Sequence, residues 1–373
     1  MFSLKGPMAE KVTTEITFLS NFCWSHPGTI ELLCETASYK NFSVRHFSKP
    51  HSIFTRKKPT EKSQILDVES KDLVNFSVKL SKIPILNKLQ NKYLWKQIES
   101  RCNKKRKKVL IYNNLDSLEG LSDKLTDHFD KLIFLCADYS RLNERLKVNC
   151  EIADAIFVVP KSMHQLLLNQ YPEKKIVLWP QPVTSIFNSP LKEDQKEKID
   201  KILMQIPKPR LIYAGIGLNR LNKSIYIDNS IRFPCCSFIS FGGVRMIKEG
   251  NRYVVPAISK QEMLYFISQC TVGFMPYDIT DSHNLHCVPL KLFDYFSAGL
   301  PVVSSKLLNL SKYKELLFLC ETRRDFESGI EKSLKEEIES EAREKRKIIY
   351  QSHSTNKTSD AFERCIMELL IKS

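Results

Sequence analysis

The feature that most constrains this chain is an alternation of short apolar, β-branched runs with stretches of helical apolar spacing. EITFLS (15–20), NFSVRHF (41–47), KKVLIYNN (107–114), KLIFLCAD (131–138), AIFVVP (155–160) and KIVLWPQPV (175–183) read as strands. Helical patterns near residues 30–36, 85–101 and 141–152 fall between them. Residues 55–80 are polar and irregular and read as a long loop with at most one short helix. A charged helix at 193–205 opens a second series: strands RLIYAG (210–215), CSFISFGG (236–243), TVGFMPY (271–277), LPVVSS (300–305) and LLFLC (316–320), with helices near 261–269, 289–298 and 324–335. The charged run Glu331–Lys347 reads as a solvated helical face, and a last helix covers about residues 360–371.

Strands that alternate with helices dictate α/β layers, because parallel neighbours need a crossover and a helix covers the face. The expected fold is α/β, with two doubly wound Rossmann-like domains facing a cleft. Domain boundaries are expected at 1–183 and 184–355, joined near Pro180, Pro182 and Pro190, with a C-terminal helix (356–373) packing back on the first domain. In open parallel sheets ligands sit at the carboxyl ends of strands, where helix N-termini point. Functional residues should therefore follow strands directly.

At 373 residues and 42% hydrophobic, the chain can bury two cores. It has no run of eighteen apolar residues to span a bilayer, and its start lacks the pattern of a signal peptide. The eleven cysteines stand singly apart from Cys235-Cys236, which argues against zinc and disulfides and for a cytoplasmic location. The net charge is +15. The first 180 residues hold 29 lysines and arginines against 19 acids, and the densest block is RCNKKRKKVL (101–110). Such a surface could meet nucleic acid, anionic lipid or phosphorylated substrates, or could be a solvated lysine-rich face.

VPLKLFDYFSAGLPVVSS (288–305) carries the sharpest signal. Pro289 suits a first helical turn, where its missing N–H would have no partner. Lys291 falls in that turn, where free amides and the helix dipole favour an anion, so a lysine makes sense if the anion comes from outside. Asp294 lies three residues on, above Lys291, and could accept two hydrogen bonds from the cis-diol of a ribose. Leu292, Phe293 and Phe296 would bury the opposite side, and Gly299 would end the helix. An amphipathic helix with a surface Lys–Asp pair satisfies the same pattern.

The stretch resembles the nucleotide-sugar helix of GT-B glycosyltransferases, in the positions Pro289, Lys291, Asp294, Tyr295, Gly299, Pro301, Val302 and Val303. Within that class it is similar to bacterial exopolysaccharide and cell-wall enzymes of the xanthan glucuronosyltransferase and teichuronic-acid types. The resemblance implies an acceptor-binding first domain and a nucleotide-sugar-binding second one. Other segments extend it. GFMPY (273–277) places Tyr277 at the donor pocket, or merely packed at a strand end. LIYAGIGLNRLNKSI (211–225) gives a glycine turn, Gly215 and Gly217, open to a phosphate, with Arg220 as a second cation. In ITFLSNFCWSHPGTIELL (16–33), Trp24 could stack on an acceptor sugar and His26 could bond a hydroxyl or phosphate, unless His26 is a turn residue. In residues 131–167, Asp138 follows its strand directly and is the candidate general base, or else a helix cap. Asp154 precedes its strand and is read as structural.

Retaining members of the fold often carry an acid eight residues before the ribose-binding one; that position is His286. The departure favours inversion, with Asp138 as base. The implied reaction is glycosyl transfer from a nucleoside-diphosphate sugar to a hydroxyl of a glycan or lipid-linked acceptor in surface polysaccharide synthesis. No cofactor is expected, and with no D-x-D pair in a plausible loop the cations replace a metal. The basic first domain could rest peripherally on anionic membrane. Two alternatives stay open. An NAD(P)-dependent oxidoreductase would share the sheets, but GIGLNR stops one glycine short of its fingerprint. A nucleic-acid-binding protein would use residues 101–108, but that block lacks interleaved aromatics, so no nucleic-acid partner is expected.

Overall fold

The computed structural model describes residues 14–20, 29–52, 68–75, 84–102, 106–113, 122–138, 141–184, 190–216, 218–336 and 340–371. In the first half, strands β1 (Glu15–Leu19), β2 (Ser43–Ser52), β3 (Val68–Asn75), β4 (Lys108–Tyr112), β5 (Lys131–Cys136), β6 (Ala155–Val158) and β7 (Lys175–Leu178) are interleaved with helices. These are α1 (Thr29–Ser38), α2 (Pro84–Glu99), α3 (Ser122–His128), α4 (Glu144–Ile152) and α5 (Lys161–Gln170). Among the described residues the strands form one seven-stranded sheet, ordered β3-β2-β1-β4-β5-β6-β7 and parallel throughout.

The second half opens with α6 (Glu193–Leu203) and continues through β8 (Arg210–Ile216), α7 (Lys223–Arg232), β9 (Ser237–Phe241), β10 (Ile247–Glu249), β11 (Arg252–Val255) and α8 (Lys260–Ser268). It goes on with β12 (Val272–Met275), α9 (Ser282–Leu285), α10 (Leu290–Ser297), β13 (Val302–Ser305), β14 (Phe318–Cys320), α11 (Arg323–Leu334), α12 (Glu341–Ser352) and α13 (Thr355–Ile371). Its sheet runs β10-β11-β9-β8-β12-β13-β14, parallel except for the β10–β11 hairpin.

Residue alternation explains the layering. In β4, Val109 and Ile111 face one core, with Ile30 and Leu33 of α1, while Leu110 and Tyr112 face another, with α2, α4 and α5. Phe362, Ile366, Leu369 and Leu370 of α13 join the α1 side, so the chain ends against the first sheet. There the Trp179 ring stacks on Phe157, at 5.1 Å between centroids, with Phe362 edge-on to both. A third core fills the second half.

Two expectations are corrected. Val68–Asn75, inside the stretch read as loop, pairs in parallel with β2 at the sheet edge. The charged run Glu331–Lys347 is not one solvated face: α11 stops at Leu334, α12 starts at Glu341, and Arg346 within it is buried. Arg346 donates to the Leu316 and Gly299 carbonyls and pairs with Glu336. Among the described residues no helix is long and apolar enough to cross a membrane.

Candidate functional site

The carboxyl ends of the two sheets face one cleft of about 620 Å³, lined from both halves. Every sequence-predicted site residue in the described part lines it except Gly215: Asp138, Arg220, Tyr277, Lys291 and Asp294. Trp24, His26 and Gly217 lie outside the described residues.

Lys291 enters from the first turn of α10. That helix is strongly one-sided, with Leu292, Phe293, Tyr295 and Phe296 all fully buried. Its N-cap is Pro289, which makes no side-chain capping bond, whereas Ser259 and Thr322 cap α8 and α11 with full capping boxes. The start of α10 thus presents its amides to the cleft without a side chain of its own over them. The Tyr295 hydroxyl accepts the Ala214 N–H at 2.8 Å, which ties this helix to the end of β8. Gly273 makes that possible, since a Cβ there would lie 2.4 Å from the Tyr295 ring.

Lys291 Nζ donates to the Tyr277 hydroxyl at 2.7 Å and stands 4.8 Å from the centre of the Tyr213 ring. Burial raises the Tyr277 pKa, so it remains a phenol and accepts that bond. Arg220 also lies over Tyr277, with Cζ 5.2 Å from the ring centre. Its Nε donates to Asn284 Oδ1 at 2.7 Å, and Asn284 returns bonds to the carbonyls of Arg220 and Asp278. The loop after β8 is zipped to the loop after β12 by Asn222 N–H to Pro276 and Asp278 N–H to Arg220. Arg220 Nη2 is buried and hydrogen-bonds none of the described residues. Two cations held by tyrosines and an asparagine, with one guanidinium nitrogen unspent, are chemically able to hold an anion.

Asp138 follows β5 directly and is exposed on the opposite wall, near enough to act on the charge of Arg220 across the gap. Asn113, after β4, lines the same wall, and its Oδ1 is buried without a hydrogen bond among the described residues. Cys287 also lines the cleft; burial pushes its thiol up to about 11, so it serves as a neutral wall group. Asp154, as read from the sequence, is structural: its carboxylate accepts the Leu132 N–H at 2.7 Å, at the amino end of the sheet.

Two expectations change in detail. Asp294 does not pair with Lys291. It is held by Lys260, at 2.5 and 2.6 Å to its two oxygens, so what it offers a ligand is a neutralised carboxylate. Lys260, at the start of α8, is a third cleft cation that the sequence reading did not find. Gly215 is not among the residues that line the cleft; a Cβ there would lie 2.7 Å from the Tyr213 ring, so the glycine makes room for that ring. Tyr213 itself was missed, although its place at the end of a strand before a glycine turn was the available signal. His286 is absent from the cleft lining, and its carbonyl accepts from Asn309 at 2.6 Å.

No protein-family model matches the sequence, and none of the curated proteins matches it. Solved structures do share its form. The N-terminal domain of trehalose-6-phosphate phosphatase from Candida albicans gives a TM-score of 0.71 at 11% identity, over 99% of this chain and 99% of that one. HepE from Anabaena, in complex with UDP and glucose, gives 0.66 at 11% identity over 95% and 99% of the two chains. An α,α-trehalose-phosphate synthase (UDP-forming) from Burkholderia xenovorans, in complex with glucose-6-phosphate, gives 0.64 at 10% over 94% and 99%. At such identities the likeness is one of fold: the chain is an α/β protein of two Rossmann-like domains facing a cleft, the GT-B fold.

Proposed function

We propose that the cleft binds a nucleoside-diphosphate sugar against the second half and transfers its glycosyl group to an acceptor hydroxyl held by the first. The observation that carries this reading is the placement of Arg220 and Lys291, with the uncapped start of α10, facing Asp138 across the cleft. HepE, solved with UDP and glucose, and the UDP-forming synthase lend it a precedent in neighbours of the same fold. The domain boundaries near residues 183 and 355 belong to the same reading.

In this reaction the acceptor oxygen attacks the anomeric carbon, the bond from that carbon to the diphosphate breaks, and the nucleoside diphosphate leaves. Asp138 takes the acceptor proton. Negative charge grows on the departing diphosphate, and Arg220, Lys291 and the α10 amides are already oriented to meet it. Protein cations thus take the part a divalent metal plays elsewhere, and turnover should withstand EDTA. Asp294, neutralised by Lys260, faces the nucleoside. Single displacement inverts the anomeric centre.

We place the acceptor among glycans or lipid-linked glycans of surface polysaccharide synthesis, on the resemblance of residues 288–305. Peripheral, salt-sensitive attachment of the basic first half to anionic lipid fits this acceptor. The test is a thermal-shift screen of the whole protein against UDP, GDP, CMP and dTDP sugars. At least one should raise the melting temperature, and stabilisation by none would remove the reading.

A further inference from the structure

A second pocket, of about 380 Å³, lies beside the cleft and shares Gln181 and Val288 with it. Both halves line it. The first supplies Lys161, at the start of α5, and Trp179, directly after β7. The second supplies Phe293 of α10 and Lys312, in a 3-10 turn (Leu308–Tyr313) that follows β13. Asn309 of that turn donates to the Ser162 hydroxyl at 3.4 Å, so the turn and the start of α5 meet across the junction.

Trp179 is only 4% exposed, and its Nε1–H is buried and hydrogen-bonds none of the described residues. The ring is held by its stack on Phe157 and by Phe362 edge-on. An indole N–H can only donate, and a buried donor left unmatched is costly, so it asks for an acceptor atom from a ligand. The start of α5 asks for the same. Its N-cap is Pro160, which makes no side-chain capping bond, so the first-turn amides have no side chain of the cap over them. Lys161 opens that turn, where the helix dipole disfavours a cation unless an anion joins it, as at Lys291 in α10. From the other half, the Lys312 ammonium stands 4.8 Å from the centre of the Tyr313 ring, which packs edge-on to Phe293.

We infer that this pocket is a second anion site, separate from the cleft, which takes the phosphate group of a small phosphate monoester or free phosphate. The inference goes beyond the proposed glycosyl transfer and holds whether or not the cleft binds a nucleotide sugar. Two ammonium groups, an indole N–H and helix amides all donate, and a phosphate offers several charged oxygens to receive them. The pocket falls in the size range of small-molecule sites, with room for an organic group against Val288 and Phe293 beside the phosphate. Because its two lysines come from different halves, an anion held between them ties the halves together.

The test is isothermal titration at constant ionic strength on the whole protein carrying Arg220→Met and Lys291→Met, which silences those two cleft cations. The probes are inorganic phosphate and phenyl phosphate, with phenol as the uncharged control. At least one phosphate should bind. Adding Trp179→Phe, which keeps an aromatic ring on Phe157 and removes the N–H, should weaken it about tenfold. Lys161→Met and Lys312→Met should each weaken it roughly tenfold as well; both positions are exposed, so these variants should fold. Tighter binding of phenyl phosphate than of inorganic phosphate identifies an ester as the occupant, and equal or weaker binding identifies free phosphate. Failure of both phosphates to bind would overturn the inference. So would binding that neither lysine variant weakens, since the anion would then sit elsewhere. Phenol bound as tightly as phenyl phosphate would overturn it too, because the pocket would then read the ring and not the charge.

Discussion

The Lys291 ammonium and the Tyr277 hydroxyl lie 2.7 Å apart, joining the first turn of α10 to the loop after β12. The tyrosine fixes where the positive charge sits, so a bound anion need not order a flexible side chain first.

Replacing Lys291 or Arg220 by methionine should weaken nucleoside-diphosphate binding by roughly tenfold to a hundredfold each, as expected for losing a charge-assisted hydrogen bond. Isothermal titration of UDP-sugar or UDP into each variant checks this. Equal affinity in wild type and Lys291→Met would take the lysine out of the donor site.

Asp138→Asn should behave differently. As the proposed base it has no part in holding nucleotide, so donor affinity should hold while the transfer rate falls by about a hundredfold to ten-thousandfold. A variant with near-normal turnover would assign the proton to another group.

Gly273→Ala tests the support beneath the site. The new methyl would lie 2.4 Å from the ring of fully buried Tyr295, so the ring and α10 must shift. The expected cost is about 1–3 kcal/mol in urea unfolding. Nucleotide affinity should fall with it, because Tyr295 and Lys291 share that helix.

Acid should loosen the junction between the halves. His353 packs tilted against Phe293, at 4.7 Å between ring centres, contacts the Gln181 carbonyl through Nδ1 at 2.9 Å and lies 3.3 Å from the Tyr313 hydroxyl at Nε2. Burial lowers its pKa below the ordinary 6.5; Lys312 adds to this and the Gln181 bond opposes it. The unfolded chain then binds the extra proton first. The contribution to stability is whole above about pH 6.5 and is lost as pH falls from there through the lower folded value. Urea titrations between pH 7 and 5 should show the loss, and His353→Gln should flatten it.

Local patterns made much of this legible. The start of α10 was readable because Pro289, Lys291 and the apolar stripe lie within one short segment. The place of Asp138 in the cleft was readable because parallel sheets open their clefts at the carboxyl ends of strands. The Lys260–Asp294 pair was not, since its partners lie 34 residues apart and meet only when α8 and α10 pack. Val68–Asn75 was missed because VESKDLVN has no period-two pattern, as suits an edge strand. β10 and β11 are short, and their signal was the turn at Gly250, whose φ of +62° glycine accepts readily.

The peptide chain passes between the halves twice, and the two passages lie side by side: the Val183 N–H donates to His353, and the Thr355 N–H donates to Val183. A single tether would let one half swivel about it, whereas two passages bonded to each other oppose that rotation and help keep Asp138 opposite Arg220.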